Sequence, residues 1–284
     1  CWMQQHVKRM LAFSTISHLG IMLIGIASLS ATGFGGMLVY LVGHGLVKGA
    51  LFMLAGILLA TQAGADELAL QGRGRAILPA GIAMAIGGLL LGGLPWGILD
   101  AGTRLIGATS TIATAWVEST VLFGTALTGA TVLRATGRIF FDLGPAPEPE
   151  EIESPTEAEP EKPDRPLWLM LGPCVFLLAL ALVPGEQARR FAALAVGFYP
   201  TLAPGDLETG GAEFLPWLSL FLAVAIAASE LFRDRFPTRL LAARDKLLTP
   251  IFHAVHVIHT GLVGDYVVWL MLGIAGFACV LAFV

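Results

Sequence analysis

Residues Gly35 to Thr61 read GGMLVYLVGHGLVKGALFMLAGILLAT, an apolar run about as long as a helix needs to cross a bilayer, with His44 and Lys48 near its centre. At about 1.5 Å of rise per residue, Lys48 lies roughly 18 Å from either end, and a lysine chain reaches only about 6 Å. The amine cannot snorkel out of the membrane interior. A charge held there must face protein or water and have a partner or a titrating task. His44 stands one helical turn before Lys48 on the same face, and Tyr40 one turn before His44, so the three form a polar stripe on an apolar rod. Two readings follow. Lys48 is a structural lysine paired with a carboxylate on a neighbouring helix, or it belongs to a proton relay in which amine, imidazole, hydroxyls and water exchange protons.

The rest of the chain has the composition of an integral membrane protein. Of 284 residues 56% are hydrophobic and only 13% charged, and the mean hydropathy is +0.77; a soluble domain of this size carries more charge. The formal net charge of −4 comes from one acidic stretch. Cys1, Cys174 and Cys279 have no metal-like spacing and lie in or beside apolar runs, which argues against a disulfide framework or a zinc site. The sequence has no glycine-rich nucleotide loop and no basic nucleic-acid patch, so neither a cofactor of its own nor a nucleic-acid partner is expected. Because it opens CWMQQHVKR directly ahead of a helix, the expectation is the C-terminal part of a longer protein rather than a complete short one.

Taken in order, Val7 to Leu29 is a first span carrying Ser14, Ser17 and His18, and Gly33 to Gly36 is expected to turn into the second. A short polar loop, TQAGADELALQGRGR, follows and ends in Arg73 and Arg75. The sequence is then apolar from Ala76 to Leu99 and from Leu105 to Ile112; as one straight helix this would be about 55 Å long against a hydrocarbon core of roughly 30 Å. The break is expected at LLLGGLPWG, where Gly92, Gly93 and Pro95 weaken the helix and remove a donor. Discontinuous helices of this kind mark ion sites in transporters, although glycines also serve close helix packing. Thr114 to Phe140 is a fourth span, with Glu118 near its start and Arg134 and Arg138 near its end.

This divides the chain into three parts. Residues 1–141 form a transmembrane core with the relay helix and the broken helix. Residues 142–166, GPAPEPEEIESPTEAEPEKPDR and its flanks, read as a disordered acidic Pro/Glu linker, with a partner-binding tail as the lesser option. Residues 167–284 carry a fifth span from Leu167 to Val183, an interfacial helix or loop from Ala188 to Leu202, a sixth span from Phe214 to Phe232 and a last span from Tyr266 to Val284. An amphipathic segment, 233–263, lies along the membrane face between the last two. With Lys8 and Arg9 on the cytoplasmic side, alternation puts Arg73/Arg75, Arg134/Arg138 and Arg233 to Lys246 on that side too; only Arg189/Arg190 dissent. The expected fold is therefore all-α: a polytopic bundle of about seven spans with one discontinuous helix.

KRMLAFSTISHLG, Lys8 to Gly20, followed at the right distance by HGLVKGALF, His44 to Phe52, resembles two successive helices of a known family. These are the proton-conducting antiporter-like membrane subunits of respiratory complex I, of Mrp-type sodium/proton antiporters and of membrane-bound hydrogenases. GGLP, Gly92 to Pro95, is similar to the break of the family's discontinuous helix, and GDYVVWL, Gly264 to Leu270, more weakly to the start of a last helix. The resemblance implies a core of two inverted repeats, with this chain beginning inside the second. It also implies other membrane subunits as partners, protons or Na⁺ as the ion carried, and a prokaryotic cytoplasmic membrane as the setting.

On that resemblance His44 and Lys48 relay protons laterally, with Tyr40 beside them and Ser14, Ser17 and His18 on the facing helix holding bridging water. Charge arriving from a neighbouring subunit would alter how tightly Lys48 holds its proton. Asp100, Arg104 and Glu118 are the candidate exit. The sequence departs from the family here: the neighbourhood after the break has no lysine, Asp100 and Arg104 at i,i+4 can neutralise each other, and an arginine cannot release its proton. The competing function is therefore a degenerate scaffold subunit that no longer conducts. A third reading, a metal site on His253, His256 and His259, is disfavoured because i, i+3, i+6 spacing turns the third ring away from the first.

Overall fold

The computed structural model describes residues 1–62, 64–108, 114–146, 166–197, 214–235 and 246. Among these the chain forms eight α-helices: α1 (Val7–Ala27), α2 (Ala31–Gln62), α3 (Leu78–Leu91), α4 (Ile98–Gly107), α5 (Thr114–Phe141), α6 (Leu167–Ala181), α7 (Gly185–Gly197) and α8 (Leu215–Leu231). Short 3₁₀ turns cover Arg73–Ile77 and Arg233–Arg235. Cys1–Asp234 form one compact unit; the second, Arg235–Val284, contributes only Arg235 and Lys246 to the described residues. The expected acidic linker beyond residue 146, most of the amphipathic segment, the last span and the three histidines of its approach fall outside them.

Four described helices are long and apolar enough to cross a membrane: Val7–Ala27, Ala31–Gln62, Arg73–Leu91 and Trp116–Phe141. α6 and α7 pass the same test as a pair bent by 79°, and α8 is a shorter apolar helix. α2 is the axis of the bundle. It packs against α1, α3, α4, α6 and α7, and its 32 residues span about 48 Å. Met10 and Leu11 of α1, Leu51, Leu54 and Leu58 of α2, and Met84 and Leu90 of α3 are closed off from solvent in the main core.

The turn into α2 comes earlier than the sequence suggested. Leu29 takes a left-handed backbone, φ 49°, and the Ser30 hydroxyl accepts the Gly33 N–H at 3.0 Å, so the helix starts at Ala31 with Gly33 to Gly36 inside it. Those glycines serve packing: a Cβ on Gly36 would lie 2.8 Å from the Ile106 nitrogen of α4. Farther along, α6 ends at Ala181 and α7 starts at Gly185, three residues ahead of the expected interfacial helix, with Ala188 and Ala192 buried against Val39, Ala101 and Leu105.

The expected break is a real one. α3 stops at Leu91 and the helix resumes as α4 at Ile98. Gly93 and Gly97 both adopt φ 93°, a conformation that side chains rarely accept, and Pro95 offers no N–H to continue the ladder. At the break α3 meets α5 backbone to backbone: a Cβ on Gly129 would sit 2.8 Å from the Gly92 nitrogen.

Candidate functional site

Lys48 is 5% exposed and reaches across to α1. Its Nζ donates to the Leu11 carbonyl at 2.6 Å and to the Ser14 hydroxyl, which itself donates to Leu11 O at 2.8 Å. That carbonyl lies within α1, where Thr15 Oγ1 also donates to it at 3.0 Å. The Phe52 ring lies 6.0 Å from the amine. Among the described residues no carboxylate bonds Lys48, so the amine sits among neutral dipoles, an arrangement suited to gaining and losing a proton.

One turn back along α2, His44 is buried at 5% exposure and its ring lies 4.7 Å, centroid to centroid, from that of the fully buried His18 on α1. His18 Nδ1 and the Tyr40 hydroxyl share a hydrogen bond of 2.6 Å. Among the described residues both ring nitrogens of His44 and Nε2 of His18 have no hydrogen-bond partner. Lys48, His44, His18 and Tyr40 therefore follow one another along the α1–α2 interface, with Ser14 at the lysine end. Ser17 does not join them; it is exposed, beside Gly124 of α5, because its position turns it off the face shared by Ser14 and His18.

Tyr40 also lines a cavity of about 70 Å³ beneath the helix break, shared with Asp100, Thr103, Arg104, Glu118, Thr125 and Ser219. That is several times the roughly 10–15 Å³ one water needs. The candidate exit residues Asp100, Arg104 and Glu118 thus meet in one place, although four helices, α2, α4, α5 and α8, supply the ring, the carboxylates and the hydroxyls. Asp100 Oδ2 accepts Arg104 Nε at 2.9 Å, an i,i+4 pair on α4.

A second buried polar cluster closes one end of the unit. Glu67, fully buried in the connection after α2, accepts Arg138 Nη1 at 2.8 Å and lies 3.0 Å from Arg134 Nη2. Arg134 in turn donates to the carbonyls of Trp2 and Gln4, at 2.8 and 3.0 Å, with its guanidinium 4.5 Å from the Trp2 ring. Burial raises the Glu67 carboxyl above its ordinary proton affinity, and the two guanidiniums pull against that rise.

Sequence reading passed over Glu67, Thr125 and Ser219. Glu67 looked like one acid in a polar loop; the signal for it is Arg134 and Arg138, two cations one turn apart on an apolar helix that together need a carboxylate. Ser219 is the lone hydroxyl between Leu215 and Ala228, and Thr125 faces it across α5 and α8 at 2.7 Å.

Comparison with known proteins adds a family to this geometry. Residues 1–133 match the family model described as NADH:quinone oxidoreductase/Mrp antiporter, TM. NAD(P)H-quinone oxidoreductase chain 4 of the Physcomitrium patens chloroplast is 50% identical over 54 residues, 19% of this chain and 11% of that protein. Chain 4 1 of Thermosynechococcus vestitus is 29% identical over 236 residues, covering 76% of this chain and 40% of the relative. A chain of the Mrp complex from Dietzia sp. DQ12-45-1b aligns over 99% of this chain and 32% of its own length, with a TM-score of 0.55 and 18% identity, a likeness of fold alone. The chain thus spans well under two thirds of the length of each.

Proposed function

We propose that this chain, whose residues 1–133 match the NADH:quinone oxidoreductase/Mrp antiporter family model, is an antiporter-like membrane subunit of that family and conducts protons through the Lys48–His44–His18–Tyr40 file. It works as one membrane subunit of a complex I-like or Mrp-like assembly. The observation that carries the reading is continuity. A buried amine held by neutral oxygens leads to two facing imidazoles, then to a phenol, then to a cavity holding the carboxylates of Asp100 and Glu118.

Each residue has a chemical task. Lys48 stores the proton, and Ser14 with the Leu11 carbonyl stabilises its charged form. His44 and His18 pass it on, since an imidazole accepts at one nitrogen while releasing from the other. Tyr40 hands it to water in the cavity, where Glu118 and Asp100 receive it. Charge arriving in a neighbouring subunit shifts the occupancy of Lys48 and so drives each step. The ion is H⁺, with Na⁺ the alternative, and the setting is a prokaryotic cytoplasmic membrane. Redox chemistry belongs to partner subunits.

Lys48→Ala and His44→Ala, each reconstituted in vesicles within the complete assembly, are expected to abolish proton or cation transport. Unchanged transport in either variant overturns the assignment. One observation favours the second reading, a scaffold subunit that docks partners without conducting. The Asp100 carboxylate is already occupied by Arg104, so the exit is partly neutralised. In that case both alanine variants keep the assembly's transport and a truncation removing this chain dissolves the complex.

A further inference from the structure

We propose that Ser219 of α8 is the positioning residue that fixes the broken helix over the cavity, an inference that rests on the proposed conducting role for its functional meaning. Ending α3 at Leu91 leaves its last carbonyls without intrahelical donors. The Ser219 hydroxyl, 3% exposed, donates to one of these, Gly92 O, at 2.9 Å, and also lies 2.7 Å from Thr125 Oγ1 and 3.4 Å from the Leu122 carbonyl of α5. With Thr125 as the donor in their 2.7 Å contact, Ser219 accepts there and keeps its single proton for the break. One side chain therefore ties three helices, and it comes from a part of the chain 86 residues beyond the matched stretch, counted from 133 to 219.

The surrounding shape agrees. A Cβ on Gly93 would lie 2.9 Å from Ser219 Oγ and 3.0 Å from its Cβ, while one on Gly92 would lie 3.2 Å from the Ala223 Cβ. The break is thus seated directly on α8, and α8 packs along α5 down to Leu231 against Gly137. Ser219 and Pro216 line the same cavity as Asp100 and Glu118. Without the hydroxyl, the Gly92 carbonyl turns toward cavity water, the turn from Gly92 to Gly97 loosens, and α4 no longer holds Asp100 in register with Tyr40.

The test is Ser219→Ala in the intact assembly, with Ser219→Thr as the conservative rescue and Ser229→Ala as control, since among the described residues Ser229 only back-bonds Ile226 O on its own helix. Hydrogen exchange is read on peptides covering residues 89–98, and proton flux in vesicles. Expected are about tenfold faster exchange at the break and about tenfold lower maximal flux in Ser219→Ala. Ser219→Thr should recover both, and Ser229→Ala should change neither. Unchanged exchange at the break overturns the proposal, as does unchanged flux in Ser219→Ala when the wild type conducts, or a loss in Ser219→Ala that Ser219→Thr does not recover. If the wild type itself carries no protons, the conducting role falls and the exchange comparison alone decides whether Ser219 holds the break.

Discussion

Lys48 of α2 donates to the main-chain carbonyl of Leu11 on α1 at 2.6 Å, so among the described residues this buried amine is held by backbone rather than by an acid. The Ser14 hydroxyl completes the cradle and remains bonded to the same carbonyl when the amine is gone. This separates the energetic role of Lys48 from its transport role.

Lys48→Met removes a desolvated charge and keeps the volume. Apolar replacement of buried ions is often neutral or stabilising, so thermal unfolding in detergent should show a variant at least as stable as the wild type, by up to about 1 kcal/mol. Proton flux should fall on the order of a hundredfold, the scale lost when a positioned proton carrier is removed.

Tyr40→Phe deletes the hydroxyl that meets His18 Nδ1 at 2.6 Å and leaves a fully buried imidazole nitrogen without that partner. The expected cost is about 1–3 kcal/mol. Thermal unfolding measures it, and vesicle flux should fall with it because the file then ends short of the cavity.

Glu67→Leu removes every oxygen that Arg134 and Arg138 bond at this buried site and should destabilise by about 3–5 kcal/mol. The pH dependence has a definite sign. Because burial raises Glu67 above its ordinary value of 4.5, the folded chain keeps a proton that the unfolded chain has released. The Glu67 contribution to stability is therefore largest at the acid end and falls as pH rises from 4.5 through the raised value. Unfolding midpoints measured across that window should slope downward in the wild type and lie flatter in Glu67→Leu.

Gly102→Ala tests the fit of α4 on α2. Its new Cβ would lie 2.7 Å from the Tyr40 nitrogen and 2.8 Å from its Cα, so the helices must part, at a cost of about 1–3 kcal/mol. Gly107→Ala, where nothing lies within 4 Å, should be neutral or slightly stabilising in the same melt.

Much of the fold could be read in advance because membrane helices announce themselves by length and apolarity. Val7, Thr114 and Leu167 start helices where the sequence places them, and GGLP marks the break. The start of α2 was misjudged because glycine signals both turns and close packing; only the partner helix, with Ile106 against Gly36, decides between them. In the candidate site, His44, Lys48 and Tyr40 share a helical face and so were legible from spacing. Ser17 lies apart, toward α5, because its place on the helical wheel turns it off the face that Ser14 and His18 share. Glu67 and Ser219 were missed because each finds its meaning across a contact of 67 or 127 residues in sequence, with Arg134 and with Gly92.

The bare meeting of Gly92 and Gly129 makes the seam between the broken helix and α5 intolerant of any larger residue. A methyl group at position 129 would strike the Gly92 Cα, so even alanine there wedges the two backbones apart and moves the end of α3 away from α5.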